Sequence, residues 1–274
     1  MIGDVVDLLA CPVCGAELEL SAPVLMCPSG HSFDIARQGY VSLLGGPAKF
    51  SGDTADMLAA RARFLDAGHF DLVAATAAQA LAAGAVLEVG AGTGHYLAAA
   101  LNVLTGSVGI GVDIAKPAAR RIARCHPRAA GVVADAWQPL PVRTGAVANV
   151  LTVFAPRNGD ELHRVLDPDG VLVVVAPTSR HLCELVDPLQ MVRVDERKPA
   201  RISDALSGRF ERTERTLVEY DMTLTHTDID DVVAMGPSAF HSTPAERAAR
   251  IAALPDDMDV TASVYVSTYR PLSD

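Results

Sequence analysis

Long apolar runs, excess basic charge and aromatic side chains are all scarce in this chain of 274 residues. No apolar stretch approaches the roughly 20 residues that span a bilayer, and no basic region precedes an apolar segment near the start. The expectation is therefore a cytoplasmic protein with no membrane span. The formal net charge is -10, which argues against a surface adapted throughout to nucleic acid, since phosphate binding leaves a basic footprint. Only five cysteines are present, and three of them fall in one short region, an odd number that cannot close a disulfide set. With 50% hydrophobic residues, the composition suits one sizeable domain plus a small one, and it excludes disorder on a large scale.

Those three cysteines have a partner. Cys11-Pro12-Val13-Cys14 and Cys27-Pro28-Ser29-Gly30-His31 give C-x2-C, then twelve residues, then C-x3-H. Three thiolates and an imidazole at this spacing suit a closed tetrahedral Zn²⁺ site, and four protein ligands leave no position open for water. The expectation is one structural zinc per chain on Cys11, Cys14, Cys27 and His31. Residues 1–36 then form a small zinc-knuckle domain that the metal holds folded, and residues 37–274 form a second, larger domain. Cys125 and Cys183 read as ordinary thiols.

The larger part is organised around Val86-Leu87-Glu88-Val89-Gly90-Ala91-Gly92-Thr93-Gly94. A short apolar run ending in an acid, then alternating glycines, reads as a buried strand, a tight turn and a helix start. Glycines let a backbone approach a ligand closely, and their spacing here is not the G-x-G-x-x-G of dinucleotide folds. A second apolar run closes on Asp113, whose carboxylate can accept both hydrogen bonds of a ribose diol, and a third closes on Asp135. Three parallel strands ending this way define one crevice. The pattern resembles a class I methyltransferase dependent on S-adenosylmethionine (SAM). That resemblance implies a Rossmann-like, mostly parallel seven-stranded sheet with helices on both faces and a final antiparallel strand near residues 260–269. It also implies SAM contacts from Glu88, Gly90, Ala91, Gly92, Thr93, Gly94, Tyr96, Leu97, Asp113, Ile114, Asp135 and Ala136.

A more specific likeness comes from the order C-P-x-C, C-P-x-x-H-x-F-D-x-A-x-x-G-Y-V-x-L-L, G-D and M-x-x-A-R-x-x-F-L-D-A-G-H across residues 11–69. Phe154-Ala155-Pro156, Arg180-His181-Leu182 and Met235-Gly236-Pro237-Ser238-Ala239-Phe240-His241 extend it through the rest of the chain. The sequence is similar to the large-subunit ribosomal RNA guanine-N1-methyltransferases, the family that includes enzymes contributing to tylosin and mycinamicin resistance. The resemblance implies methylation of a guanine N1 in a hairpin loop of 23S rRNA, a homodimer and a link to macrolide resistance. A SAM crevice recurs across unrelated substrates, so the zinc knuckle, as the appended module, is expected to recognise the RNA. The resemblance adds Phe70, Phe154 and His181 to the cofactor contacts. In a fold of this class the helix from about residue 71 to 83 lies over the methionine end, so His69 and Phe70 read as lids, with a surface histidine and a core phenylalanine as the alternative. Phe70 stands where tyrosine can occur in the family, so a hydroxyl contact to the cofactor is absent.

Two absences near residue 154 narrow the substrate. Enzymes that methylate exocyclic amines commonly carry N-P-P-Y or D-P-P-Y after the fourth strand, and Phe154-Ala155-Pro156 cannot grip an amine in that way. Nor is a cysteine present there for covalent attack on a pyrimidine ring. A ring nitrogen, an oxygen or a small molecule remains, and a small-molecule C- or O-methyltransferase with a zinc module is the competing reading. Guanine N1 carries a proton that a base must remove, for which Asp53, His181 and His241 are the candidates in that order. Lys116, Arg120, Arg121, Arg124 and Arg128 fall on one expected helix without a carboxylate. They read as a solvated face, with an RNA-facing patch as the alternative.

Overall fold

The computed structural model describes residues 1–46, 52–192, 198–236 and 243–273. Two short 3-10 turns, Ile2–Asp4 and Val6–Leu8, lead into an antiparallel sheet of β1 (Glu19–Ser21), β2 (Val24–Met26) and β3 (Ser32–Asp34). β4 (Val41–Ser42), α1 (Ala55–Asp66) and α2 (Asp71–Gln79) follow. The chain then alternates through β5 (Val86–Val89), α3 (His95–Val103), β6 (Gly109–Asp113), α4 (Lys116–Cys125), β7 (Ala129–Val133), β8 (Val147–Val153), α5 (Gly159–Val165) and β9 (Leu166–Pro177). It finishes with α6 (Cys183–Leu189), α7 (Lys198–Leu206), β10 (Phe210–Thr225), α8 (His226–Ala234), α9 (Pro244–Ile251) and β11 (Asp257–Pro271).

Among the described residues the main sheet has eight strands in the order β10-β11-β9-β8-β5-β6-β7-β4, where seven were expected. The extra strand is β4, which pairs in parallel with β7. Two residues are too few to show a period in sequence; Leu43, just beyond them, fixes the register by donating its N–H to Val133 O at 2.9 Å. β9, β8, β5, β6 and β7 run parallel to one another, while β11 is antiparallel to β9 and β10 antiparallel to β11, as expected for the chain's end.

β9 shows how the two faces are filled. Leu172, Val174 and Ala176 join one buried cluster with residues of α5 and α7, while Val171, Val173 and Val175 join another with residues of α2, α6 and α8. Side chains alternate across a pleated strand, so a continuous apolar run is what a sheet covered on both faces requires. The zinc region takes part in the first cluster: Cys11 and Cys27 are buried together with Val132, Leu140 and Val142. The backbone joins them too, through Ala10 N–H to Pro141 O at 3.1 Å. Residues 1–36 thus share a core with the larger part.

The chain passes from β5 to β6 to β7 on one side, then jumps to β8 on the other side of β5. In such sheets the crevice opens at the carboxyl end of the strand where the order reverses, which here is the end of β5. α2 stops at Gln79, and the buried Asn149 amide takes both the N–H and the carbonyl of Ala82 at 2.8 Å. No helix among the described residues is long and apolar enough to cross a membrane.

Candidate active site and metal centre

The turn after β5 is built from backbone torsions that L-residues resist. Gly90, Gly92 and Gly94 have φ of 72°, 56° and 79°. A Cβ on Gly90 would lie 2.6 Å from Ala155 Cβ, and one on Gly92 would lie 2.8 Å from Arg61 Nη1. The third glycine has a different duty: its Cβ would lie 2.7 Å from Cys125 Sγ and 3.3 Å from Ile122 Cα, so it allows α3 to pack against α4. The loop's acids are tied to the same turn. Gly92 N–H and Ala115 N–H each donate to one oxygen of Asp113 at 2.9 Å, which aims the carboxylate across the loop and leaves its remaining lone pairs for a diol.

Glu88 serves the helix start. Its Oε2 accepts the N–H of Leu97 at 2.9 Å, one of the donors that the first turn of α3 leaves without a helical partner. Complete burial, with a smaller contribution from the nearby Asp113 carboxylate, pushes the Glu88 carboxyl up to about 8. A folded-state value above the unfolded one stabilises the protein below the unfolded value, and that stability is lost as pH rises toward the folded one. The thermal stability of the wild type should therefore fall between about pH 4.5 and 8. Glu88→Gln, which stays neutral, should flatten that slope, and an identical slope in both proteins would refute the assignment.

These residues wall a cleft of about 690 Å³. Phe70, Glu88, Gly90, Ala91, Thr93 and Tyr96 line it from α1–α3 and the loop, Asp113, Ile114, Asp135 and Ala136 from the ends of β6 and β7, and Phe154 and His181 from the far side. Gly92, Gly94 and Leu97 are not among its lining residues; Gly92 and Leu97 donate their N–H groups to Asp113 and Glu88. Asp53 and His181 lie in the same cleft, while His241 falls outside the described residues. His69 is engaged elsewhere, with Nε2 3.0 Å from Asp228 Oδ1 on α8, and is no lid over this cleft.

Arg61 and Trp137 are among the lining residues that had no role assigned from sequence. Arg61 reaches in from α1, where Nη2 pairs with Asp53 Oδ2 at 2.7 Å and donates to Met235 O at 2.7 Å. Trp137, the single tryptophan, is 52% exposed at the rim beyond Asp135, whose Oδ1 accepts its N–H at 2.9 Å. The quoted motif M-x-x-A-R contained Arg61; only the fold shows that its side chain crosses to the glycine loop.

At the end of the cleft away from Asp113, three rings meet. Phe154 and His181 stack with centroids 5.7 Å apart and planes at 23°, and Phe70 lies 5.7 Å from His181 and 6.2 Å from Phe154. Phe154 holds φ at 54°, an uncommon torsion for a bulky residue, and the residue is 38% exposed. His181 Nδ1 accepts the N–H of Ser263 at 3.2 Å. The neutral ring therefore carries its proton on Nε2, which makes that nitrogen a donor and weakens His181 as a base.

The metal centre has the dimensions that zinc demands. The ligand atoms of Cys11, Cys14, Cys27 and His31 all lie within 4.8 Å of one another. Cys14 Sγ and Cys27 Sγ are 3.7 Å apart, and His31 Nδ1 lies 3.6 Å from Cys11 Sγ and 3.3 Å from Cys27 Sγ. Zn–S bonds of about 2.3 Å place tetrahedral sulfurs about 3.8 Å apart, so the donor set fits one Zn²⁺. Hydrogen bonds from the Ala16 backbone and the Ser29 side chain pull the Cys14 thiol down to about 6, toward the thiolate that a metal needs. Because Cys11 and Cys27 are core residues as well as ligands, metal loss should damage more than the knuckle. Chelation, or Cys27→Ser, should lower the cooperative unfolding temperature of the whole chain by about 10 °C or more. A variant with zinc removed but an unchanged melting temperature would separate metal from fold.

The sequence matches known proteins over nearly the whole chain. Residues 9–51 match the model of the RlmA N-terminal zinc ribbon. A 23S rRNA (guanine(748)-N(1))-methyltransferase of Streptomyces fradiae is 48% identical over 276 residues, covering 98% of this chain and 99% of that one. A protein of Micromonospora griseorubida, provisionally named a 23S rRNA (guanine-N(1)-)-methyltransferase, is 47% identical over 98% of this chain and 99% of its own. Among solved structures, a protein provisionally described as a methyltransferase, in complex with the Haloferax volcanii Trm112 methyltransferase activator, superposes with TM-score 0.50 at 16% identity, covering 82% of this chain and 100% of that one. That likeness shows the class I methyltransferase fold, and the near-full-length identity goes further: this chain belongs to the 23S rRNA guanine-N1-methyltransferase family.

Proposed function

We propose that the protein methylates N1 of a guanine in a hairpin loop of 23S rRNA, using SAM. The observation that carries this reading is the ring cluster of Phe70, Phe154 and His181 at the end of a cleft whose other end carries a ribose carboxylate. Bound SAM supplies an electrophilic methyl group on a sulfonium. Everything else is alignment and proton handling, which falls to side chains. A loop base must leave its stack to reach the cleft, and Phe154 offers an exposed ring face for it to stack on. As the N1–C bond forms and the S–C bond breaks, the N1 proton must go to a base. Asp53 is the residue we assign: Oδ2 is held by Arg61, which leaves Oδ1 to take the proton. Arg61, against the glycine loop, is suited to a carboxylate of the donor.

The reading includes a homodimer, supported by the family resemblance; a monomer mass by light scattering at assay concentration would remove that part. The activity itself is tested by incubating the protein with SAM and a 23S rRNA hairpin, then running primer extension, which stops at N1-methylguanine. A new stop at one loop guanine is expected. Methyl transfer to small acceptors with no stop on any 23S hairpin would favour the small-molecule alternative.

A further inference from the structure

A chain of net charge -10 that works on RNA must gather its free cations somewhere. Most described arginines are engaged within the protein. Arg61, Arg63, Arg164 and Arg247 pair with Asp53, Asp231, Glu161 and Asp230. Arg128, the last member of the basic run on α4 and its exit, donates to the carbonyls of Leu101, Leu104 and Ser107 and so closes the end of α3. The other four differ: Lys116, Arg120, Arg121 and Arg124 make no ion pair or hydrogen bond with any described residue.

Their spacing places them together. Lys116, Arg120 and Arg124 follow one another at four-residue intervals on one helix face, about 6 Å apart along the axis, and Arg121 is adjacent. Ala118, Ala119 and Ile122 are buried and seat the opposite face on the sheet. Arg120, Arg121 and Arg124 wall a groove of about 920 Å³ between α4 and the helices α1–α3. Asp66 and Asp71 stand on the other wall, so a polyanion in the groove would lie against α4. The groove adjoins the cofactor cleft. Thr93 lines both, and α1 divides them, with Arg61 and Leu65 toward the cleft and Ala62 and Asp66 toward the groove.

We infer that the exposed face of α4 is a phosphate-binding surface for the substrate RNA, on which Lys116, Arg120, Arg121 and Arg124 hold the sugar–phosphate backbone beside the methyl-transfer cleft. This rests on the rRNA reading above. The binding is sequence-independent; base recognition belongs to the cleft.

The test is fluorescence anisotropy of a labelled 23S hairpin against wild type and Arg120→Gln/Arg124→Gln over a range of salt. Removing two phosphate contacts should weaken binding about tenfold at low salt and reduce the slope of log K against log salt by about 1.4 to 1.8. SAM affinity by calorimetry should not change. Arg212→Gln, an exposed site on β10, should keep the wild-type slope. If the double variant fails to fold, each single variant should still reduce the slope by about 0.7 to 0.9. Wild-type affinity and slope in the variants, with the wild type methylating that hairpin, would overturn the surface assignment alone. Failure of the wild type to methylate the hairpin would overturn the activity reading instead.

Discussion

Gly90→Ala should leave a folded protein in which methyl transfer is about a hundredfold slower and SAM binding is weaker. Two costs coincide at this position. The torsion of 72° is one that an L-residue adopts at about 1 to 2 kcal/mol. The new methyl would also lie 2.6 Å from Ala155 Cβ, 3.7 Å from Ala155 Cα and 3.9 Å from Pro156 Cδ. Restoring ordinary contact requires a shift of about 1 Å, and a misplacement of that size in a reacting geometry can cost about a hundredfold. The atoms that must yield belong to the turn after β8, where Phe154 already holds a positive φ, so the movement goes into the cleft wall. Gly92→Ala gives an internal comparison. Its methyl would meet Arg61 Nη1 at 2.8 Å, the far end of a flexible side chain, and should cost less. Calorimetry decides both, and SAM affinity unchanged in Gly90→Ala would show that the glycine turn is not the cofactor site.

The parts of this site legible in sequence are those whose physics is local. A strand, a turn of positive-φ glycines and a helix start must be contiguous, so residues 86–97 announce themselves. The metal centre is legible for the same reason, because two short knuckles each bring paired ligands on a few residues. Asp113 and Asp135 follow from strands ending in acids. The rest of the site depends on chain segments far apart. Arg61 finds its acceptor 174 residues later at Met235, and the proton position on His181 is set by Ser263, 82 residues on. Gly94 has a further duty that the sequence does not show, since the atoms that exclude a side chain there belong to α4. The zinc region's share in the main core was likewise hidden, since the apolar residues of 1–36 look too few for a core until β7 and residues 140–142 are placed beside them.

Asp53→Asn should reduce kcat for methyl transfer to the hairpin by about 10² to 10⁴, the range that a positioned general base supplies. The substitution is chosen to separate chemistry from scaffolding. Asn keeps an oxygen that can accept from the Arg61 guanidinium, 2.7 Å from the present Oδ2, so the link through Arg61 to Met235 should persist. What it loses is the ability to take a proton. SAM affinity and the KM for RNA should therefore stay near wild type while kcat falls. The pH profile gives the stricter readout. Without a protein base the reaction must wait for guanine N1 to lose its proton unaided, so the variant's rate should keep rising with pH beyond the point where the wild type levels off. A merely structural aspartate predicts something else: weaker SAM or RNA binding and a profile parallel to the wild type. That outcome, or a variant as fast as the wild type, would move the base elsewhere. The tautomer imposed by Ser263 would still argue against His181, because a neutral ring with its proton on Nε2 offers no lone pair there to receive the one leaving N1.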